Sequence, residues 1–288
     1  MPVDVRSRVD AHHHLWDLSR RDYRWMAGEG LGPIRRSFTA GDYAAAAAPH
    51  GVARSVVVQA ACTVDETMEL LAVAASDPLV AGVVGWVDLT APDVEEQLAG
   101  LRAAPGGGTL VGIRHLVQDE PDPAWLLRPD VQRGLAAVAE AGLVFDLLVR
   151  TRELPAARAT VARLPQLDFV LDHAAKPEIA TSGWQPWAEE LTALARHANV
   201  VCKLSGLVTE ARWQGWTAVD LRPYVDHARR VFGGERLLFG SDWPVCLLAA
   251  SYGQVVGALE AALDDAGGGL REAVFGGNAR RVYALRSP

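Results

Sequence analysis

Lysine is nearly absent. Of 28 basic residues only Lys176 and Lys203 are lysines, and arginine supplies the rest. The abundant Ala, Arg and Gly fit a GC-rich coding bias. Two readings of the lysines then stand: chance, or two positions that need an ammonium group. Cysteine is scarce as well. Cys62, Cys202 and Cys246 are odd in number and far apart, so they frame no disulfide scaffold and read as reduced thiols of a cytoplasmic protein. No apolar run approaches the roughly 18 residues of a membrane span. The first residues lack a basic start followed by an apolar stretch, so no secretory signal is expected. The net charge is −7, with no basic run or aromatic platform, which argues against nucleic acid as a partner. No G-x-G-x-x-G loop follows the first strand-like segment, so the usual dinucleotide site is missing.

What is present begins at Val9-Asp10-Ala11-His12-His13-His14-Leu15-Trp16-Asp17. Val3 to Asp10 alternates apolar and polar residues as a half-buried strand does. On a strand His12 and His14 share one face and His13 takes the other. Two imidazoles so placed at a strand end can converge on one metal ion or one substrate oxygen. An affinity-tag remnant is a poor alternative, because tags are longer and lie outside periodic sequence.

After a long irregular loop over 15–38, apolar runs alternate with helical patterns. Thr39 caps a helix that stops at Pro49 and Gly51, and Thr63 with Glu66 has capping-box spacing before a helix to Ser76. Strands are predicted at Arg54–Ala60, Val80–Val87, Leu110–His115, Leu143–Val149, Phe169–His173, Val200–Leu204 and Arg236–Phe239. Further helices are predicted from Thr90 or Asp93 to Ala104, and at Pro129–Ala141, Glu153–Leu164, Trp184–His197, Leu221–Phe232, Ser251–Asp265 and Leu270–Leu285. The strands are apolar on both faces, as in parallel sheets. Eight βα units in 288 residues point to one α/β domain over 1–288, a single (β/α)8 TIM barrel, with a doubly wound open sheet as the alternative.

Barrel enzymes carry their chemistry at the C-terminal ends of the strands. Those ends read His12 and His14, Gln59, Trp86 and Asp88, Arg114 and His115, Asp146 to Arg150, His173, Lys203 and Asp242. A packed barrel needs only apolar layers, so a polar residue at nearly every strand end favours an active site. Taken singly, Asp88 could cap a helix, His115 could face the helices and Arg150 could lie on the surface. His12, His14, His173 and Asp242 are the expected catalytic set. Arg114, Lys203, Lys176, Gln59, Trp16 and Trp25 are expected to bind substrate. The tryptophans at 16, 25, 86, 184, 187, 213, 216 and 243 would suit a sugar-like ligand, with about half of them expected to be packing residues.

Six short motifs in this order resemble the amidohydrolase superfamily, in its amidohydrolase-2 branch of TIM-barrel hydrolases. They are Val9–Asp17, Gly112-Ile113-Arg114-His115, Leu171–Pro177, Cys202-Lys203-Leu204-Ser205-Gly206, Phe239–Pro244 and Gly277-Asn278-Ala279. Within that branch the sequence is most similar to sugar lactonases of the L-fuconolactonase and L-rhamnonolactonase type. The resemblance implies His12 and His14 at strand one, His173 at strand six and Asp242 at strand eight. Binuclear members carry a bridging lysine or glutamate on strand four and a histidine on strand five. Here Phe145–Arg150 has no histidine, and strand four offers Arg114 and His115. One divalent ion or none is therefore implied.

The expected reaction is the opening of a sugar lactone to its hydroxy acid, with water activated by Asp242 and the carbonyl polarised by His12, His14 and His173. A metal-dependent decarboxylase or amide hydrolase, and a non-catalytic sugar-acid binder, are the alternatives. His12, His14 and Asp242 could hold one zinc ion, with His173 beside them. Arg114 and Lys203 would repel a cation there and could polarise the carbonyl themselves, so activity is expected not to require the metal strictly.

Overall fold

The computed structural model describes residues 8–264 and 268–285. Val3–Ser7 and Asp265, to which the predicted first strand and one helix extend, lie outside the described residues. Eight parallel strands follow one another in chain order around a single sheet. They are β1 Arg8–His13, β2 Val52–Val58, β3 Val80–Gly85, β4 Leu110–His115, β5 Val144–Leu147, β6 Phe169–Leu171, β7 Val200–Leu204 and β8 Leu237–Phe239. The TIM barrel expected from the βα alternation is therefore the observed architecture. β1 and β8 meet just beyond the end of β8. There the His14 amide donates to the Trp243 carbonyl (2.7 Å), and the Asp242 amide donates to the His12 carbonyl (2.8 Å).

Inside the barrel, Val9, Ala11, Val56, Val58, Val84, Val144, Val170, Val201 and Leu238 form one apolar cluster, joined by Ala279, Tyr283 and Leu285. A larger cluster fills the space between sheet and helices. No helix among the described residues is long and apolar enough to cross a membrane.

Local chemistry explains the element ends. Helix α1, Ala40–Ala47, starts on a complete Thr39–Asp42 capping box. The box expected at Thr63 is only half made. Thr63 caps helix α2, Val64–Ser76, but the Glu66 carboxylate turns away to accept from the amides of Ala60 and Ala61 and the hydroxyl of Tyr23. The helix predicted from Leu221 begins at Ala218 instead, because Thr217 and Asp220 form a further box ahead of it. The strand predicted to reach His173 ends at Leu171, and the last predicted helix is broken by a π-helical turn at Ala273–Gly277.

Candidate active site

The site starts from an irregularity in β1. Asp10 aligns with Ser55 and His13 with Val57, so three steps on β1 face two on β2. This bulge turns Asp10 outward together with His13. Asp10 accepts from Tyr43, Tyr252 and Ser241, while His13 contacts the Ser55 hydroxyl and stacks on Tyr43. His12 and His14 then share the inner face, as alternation predicts, with their Nε2 atoms 3.2 Å apart.

His173 and Asp242 arrive on unusual backbone. His173, Ala174, Ala175 and Lys176 all have φ between 49° and 59°, and Asp242 has φ 55°. Left-handed conformations cost L-residues on the order of 1–2 kcal/mol each. The run is held by Lys176 N donating to His173 O (2.8 Å), Trp187 Nε1 donating to Ala174 O (2.7 Å) and His173 Nδ1 meeting Ser205 Oγ (2.9 Å). Two glycines make room for the histidines. A Cβ on Gly206 would sit 2.5 Å from His173 Nδ1, and one on Gly240 would sit 2.6 Å from the Cβ of His12.

The result is a compact set. Asp242 Oδ1 lies 3.5 Å from His14 Nε2 and 3.7 Å from His12 Nε2, and the His12 and His173 ring centroids are 4.5 Å apart. Burial drives His12 well below its usual pKa and holds His173 at about 4, so both imidazoles are neutral near pH 7. Burial alone would raise Asp242. The imidazoles of His173, His14 and His12 that surround it outweigh this and keep the carboxylate ionised far below the ordinary range.

Beneath the set lies a sealed ionic cluster. Lys203 Nζ is 2.5 Å from Asp146 Oδ2, 3.0 Å from Asp172 Oδ1 and 3.2 Å from His12 Nδ1. Arg114 Nη1 donates to Asp172 (3.0 Å), and Arg114 Nη2 binds the carbonyl and side-chain oxygens of Gln59. The Tyr283 hydroxyl reaches up to both Asp146 oxygens, at 3.0 and 2.9 Å. Burial pushes Asp146 up to about 6, still ionised at neutral pH, and Asp172 is held low, burial being overcome chiefly by Lys203. Two carboxylates thus neutralise the two cations. The expected repulsion of a metal by Arg114 and Lys203 fails for that reason.

The donor set fits one divalent ion. His14 Nδ1 donates to the Val58 carbonyl (2.7 Å), and a carbonyl only accepts, so neutral His14 presents a bare Nε2. That lone pair faces His12 Nε2 and the Asp242 carboxylate, and such a group needs a proton or a metal among its atoms. Asp172 Oδ1 and Lys203 Nζ both reach His12 Nδ1, at 3.3 and 3.2 Å. His12 can therefore donate at Nδ1 and present a lone pair at Nε2, or accept at Nδ1 and give an Nε2 proton to His14. Ligand atoms of His12, His173 and Asp242 also lie within 4.8 Å of one another, which adds His173 to the ligands expected from sequence.

A family model for amidohydrolases matches residues 9–285. The chain belongs to the amidohydrolase family. Curated L-fucono-1,5-lactonases of Burkholderia multivorans and Burkholderia ambifaria are each 41% identical to it, each alignment covering 98% of this chain and 97% of the relative. A solved B. multivorans amidohydrolase with bound zinc superposes with a TM-score of 0.91 at 41% identity, over 97% of this chain and 100% of that one.

The amidohydrolase barrel opens above the set into a cavity of about 320 Å³, whose walls include His14, His173, Asp242, Arg114, Lys176 and Trp25. The other residues expected to bind substrate lie elsewhere. Lys203 is fully buried under His12. Gln59 is fully buried against Arg114. Trp16 is packed among Tyr23, Trp25 and Phe38, its indole bonded to the Arg36 carbonyl. Of the eight tryptophans at the expected mouth, Trp25 and Trp213 line the cavity; the amphipathic character of tryptophan does not separate the two roles in sequence. Asp88 caps the turn to Thr90, and His115 stacks on Trp125, whereas Arg150 lines the cavity. Asp172, Ser205 and Tyr283, and Glu210 at the cavity wall near Lys176, carry no functional signal of their own in the sequence. Asp172 and Ser205 adjoin more conspicuous neighbours, His173 and Lys203, and Tyr283 stands in an ordinary helical end.

Proposed function

We propose that this amidohydrolase opens the ring ester of a sugar-derived lactone to the free hydroxy acid, with L-fucono-1,5-lactone the first substrate to test. The observation that carries the reading is the ionised, buried Asp242 at a cavity floor, beside a cation with a donor to spare. Among the described residues the Arg114 Nε–H has no hydrogen-bond partner, although Arg114 is only 2% exposed and lines the cavity. Asp242 takes a proton from water as the oxygen attacks the ester carbon. Arg114 stabilises the charge developing on the carbonyl oxygen. His14, with its Nε2 unprotonated, orients the water and does not polarise the carbonyl. When the ring C–O bond breaks, the proton held by Asp242 passes to the leaving alkoxide. Lys176 and Trp25 at the cavity wall hold the sugar.

His12, His14, His173 and Asp242 would hold a divalent ion such as zinc. Bound there, it would supply Lewis-acid polarisation or a more acidic water. The two lactonase relatives and the zinc-bound relative support both halves of this reading. The test is acid release by the purified protein from a panel of aldonolactones. Folded protein that turns over none of them removes the proposal.

A further inference from the structure

Gln118 is a polar group at the cavity wall that this chemistry leaves unused. It sits in the turn Val117–Asp119 just after β4, on a firmly fixed backbone. Its amide donates to the Leu148 carbonyl beyond β5 (3.1 Å), and its own carbonyl accepts from Arg152 Nη2 (3.3 Å). The side chain lines the same cavity as Asp242 and Arg114. Its Oε1 is buried and finds no hydrogen-bond partner among the described residues. A buried acceptor without a donor costs about 1–3 kcal/mol. The group that satisfies an amide oxygen is a donor, and the donor on a lactone ring is a hydroxyl.

We infer that Gln118 is a specificity-determining residue that accepts a hydrogen bond from a ring hydroxyl of the substrate, which makes the substrate class polyhydroxylated lactones and not plain alkyl lactones. The inference rests on the lactone-opening reading. A site built around a substrate hydroxyl rejects the analogue lacking it, because the protein group is then left unpaired. For one neutral acceptor, the discrimination is roughly 10- to 100-fold in kcat/KM.

The experiment compares wild type, Gln118→Met and Gln118→Glu on a hydroxylated aldonolactone and on analogues each lacking one hydroxyl. Wild type is expected to disfavour one deoxy analogue, and Gln118→Met to level that one difference while leaving kcat/KM for the deoxy analogue unchanged. Gln118→Glu, which keeps an acceptor, is expected to retain the preference. An equal fall on every substrate shows a merely structural side chain and overturns the inference, as does a variant with wild-type discrimination. Wild type that hydrolyses no lactone at all removes the lactone reading and this inference together. Wild type that is active without discriminating removes the inference alone.

Discussion

Two layers of the barrel interior, one above the other, treat charge in opposite ways. In the lower layer Lys203, Arg114, Asp146 and Asp172 neutralise one another, with Tyr283 closing the floor. In the upper layer Asp242 has three imidazoles for neighbours, Arg114 has a spare donor and Gln118 a spare acceptor. Ionic groups satisfied by the protein hold His12 in place, and groups left unsatisfied are what a ligand can use. Arg114 belongs to both layers, and through it the rigidity of one reaches the chemistry of the other.

The sharpest test of this division is the largest in effect. Asp242→Asn keeps the shape and removes the base, so kcat should fall by roughly two to four orders of magnitude while thermal unfolding barely moves. A comparable loss of stability would place Asp242 in the lower layer. Lys203→Met should do the reverse. Leaving Asp146 and Asp172 buried without their shared cation should cost about 3–5 kcal/mol in denaturant titration. A folded, stable Lys203→Met enzyme with altered KM alone would show Lys203 to be a substrate contact after all.

A pH profile reads the upper layer directly. His173 is neutral down to about pH 4, and its protonation would place a full positive charge beside Asp242 and weaken that base. Asp242 itself titrates lower still, so the upper layer should lose kcat/KM as pH drops through about 4, apart from any step that Asp146 contributes near 6. A profile with no step near 4 would mean that His173 is hydrated, and the contrast between layers would blur. The smallest effect is expected from exhaustive chelation with elemental analysis. Arg114 Nη1, 3.3 Å from His12 Nε2, can donate to that nitrogen without any ion, so the metal-free protein should keep activity within a few-fold. Folded but inert protein, restored by one equivalent of zinc, would reverse this.

Depth along the strand explains which parts of the site could be read beforehand. The barrel was legible because strands such as Val144–Leu147 and Val200–Leu204 are buried on both faces and alternate with capped helices. His14, His173 and Asp242 lie beyond the last residues of β1, β6 and β8 and reach the cavity, as strand-end reasoning supposes. Lys203 and Asp146 lie within β7 and β5, so their side chains stop in the sealed layer. A shift of one or two residues along a strand decides between substrate contact and support, and single-sequence boundaries do not resolve that shift. The roles of Asp172 and Tyr283 depend on pairing partners 31 or more residues away and leave no local pattern.

The join between β1 and the segment after β8 also sets an order of assembly. His12 lies in β1 and His14 directly follows it, whereas Asp242 follows β8. On the ribosome the two histidines emerge early and wait through seven βα units before their carboxylate exists. Contacts that distant in sequence form late. Ring closure and completion of the reactive centre are then one event, and a nascent chain stopped short of Asp242 carries the histidines but no base to work with them.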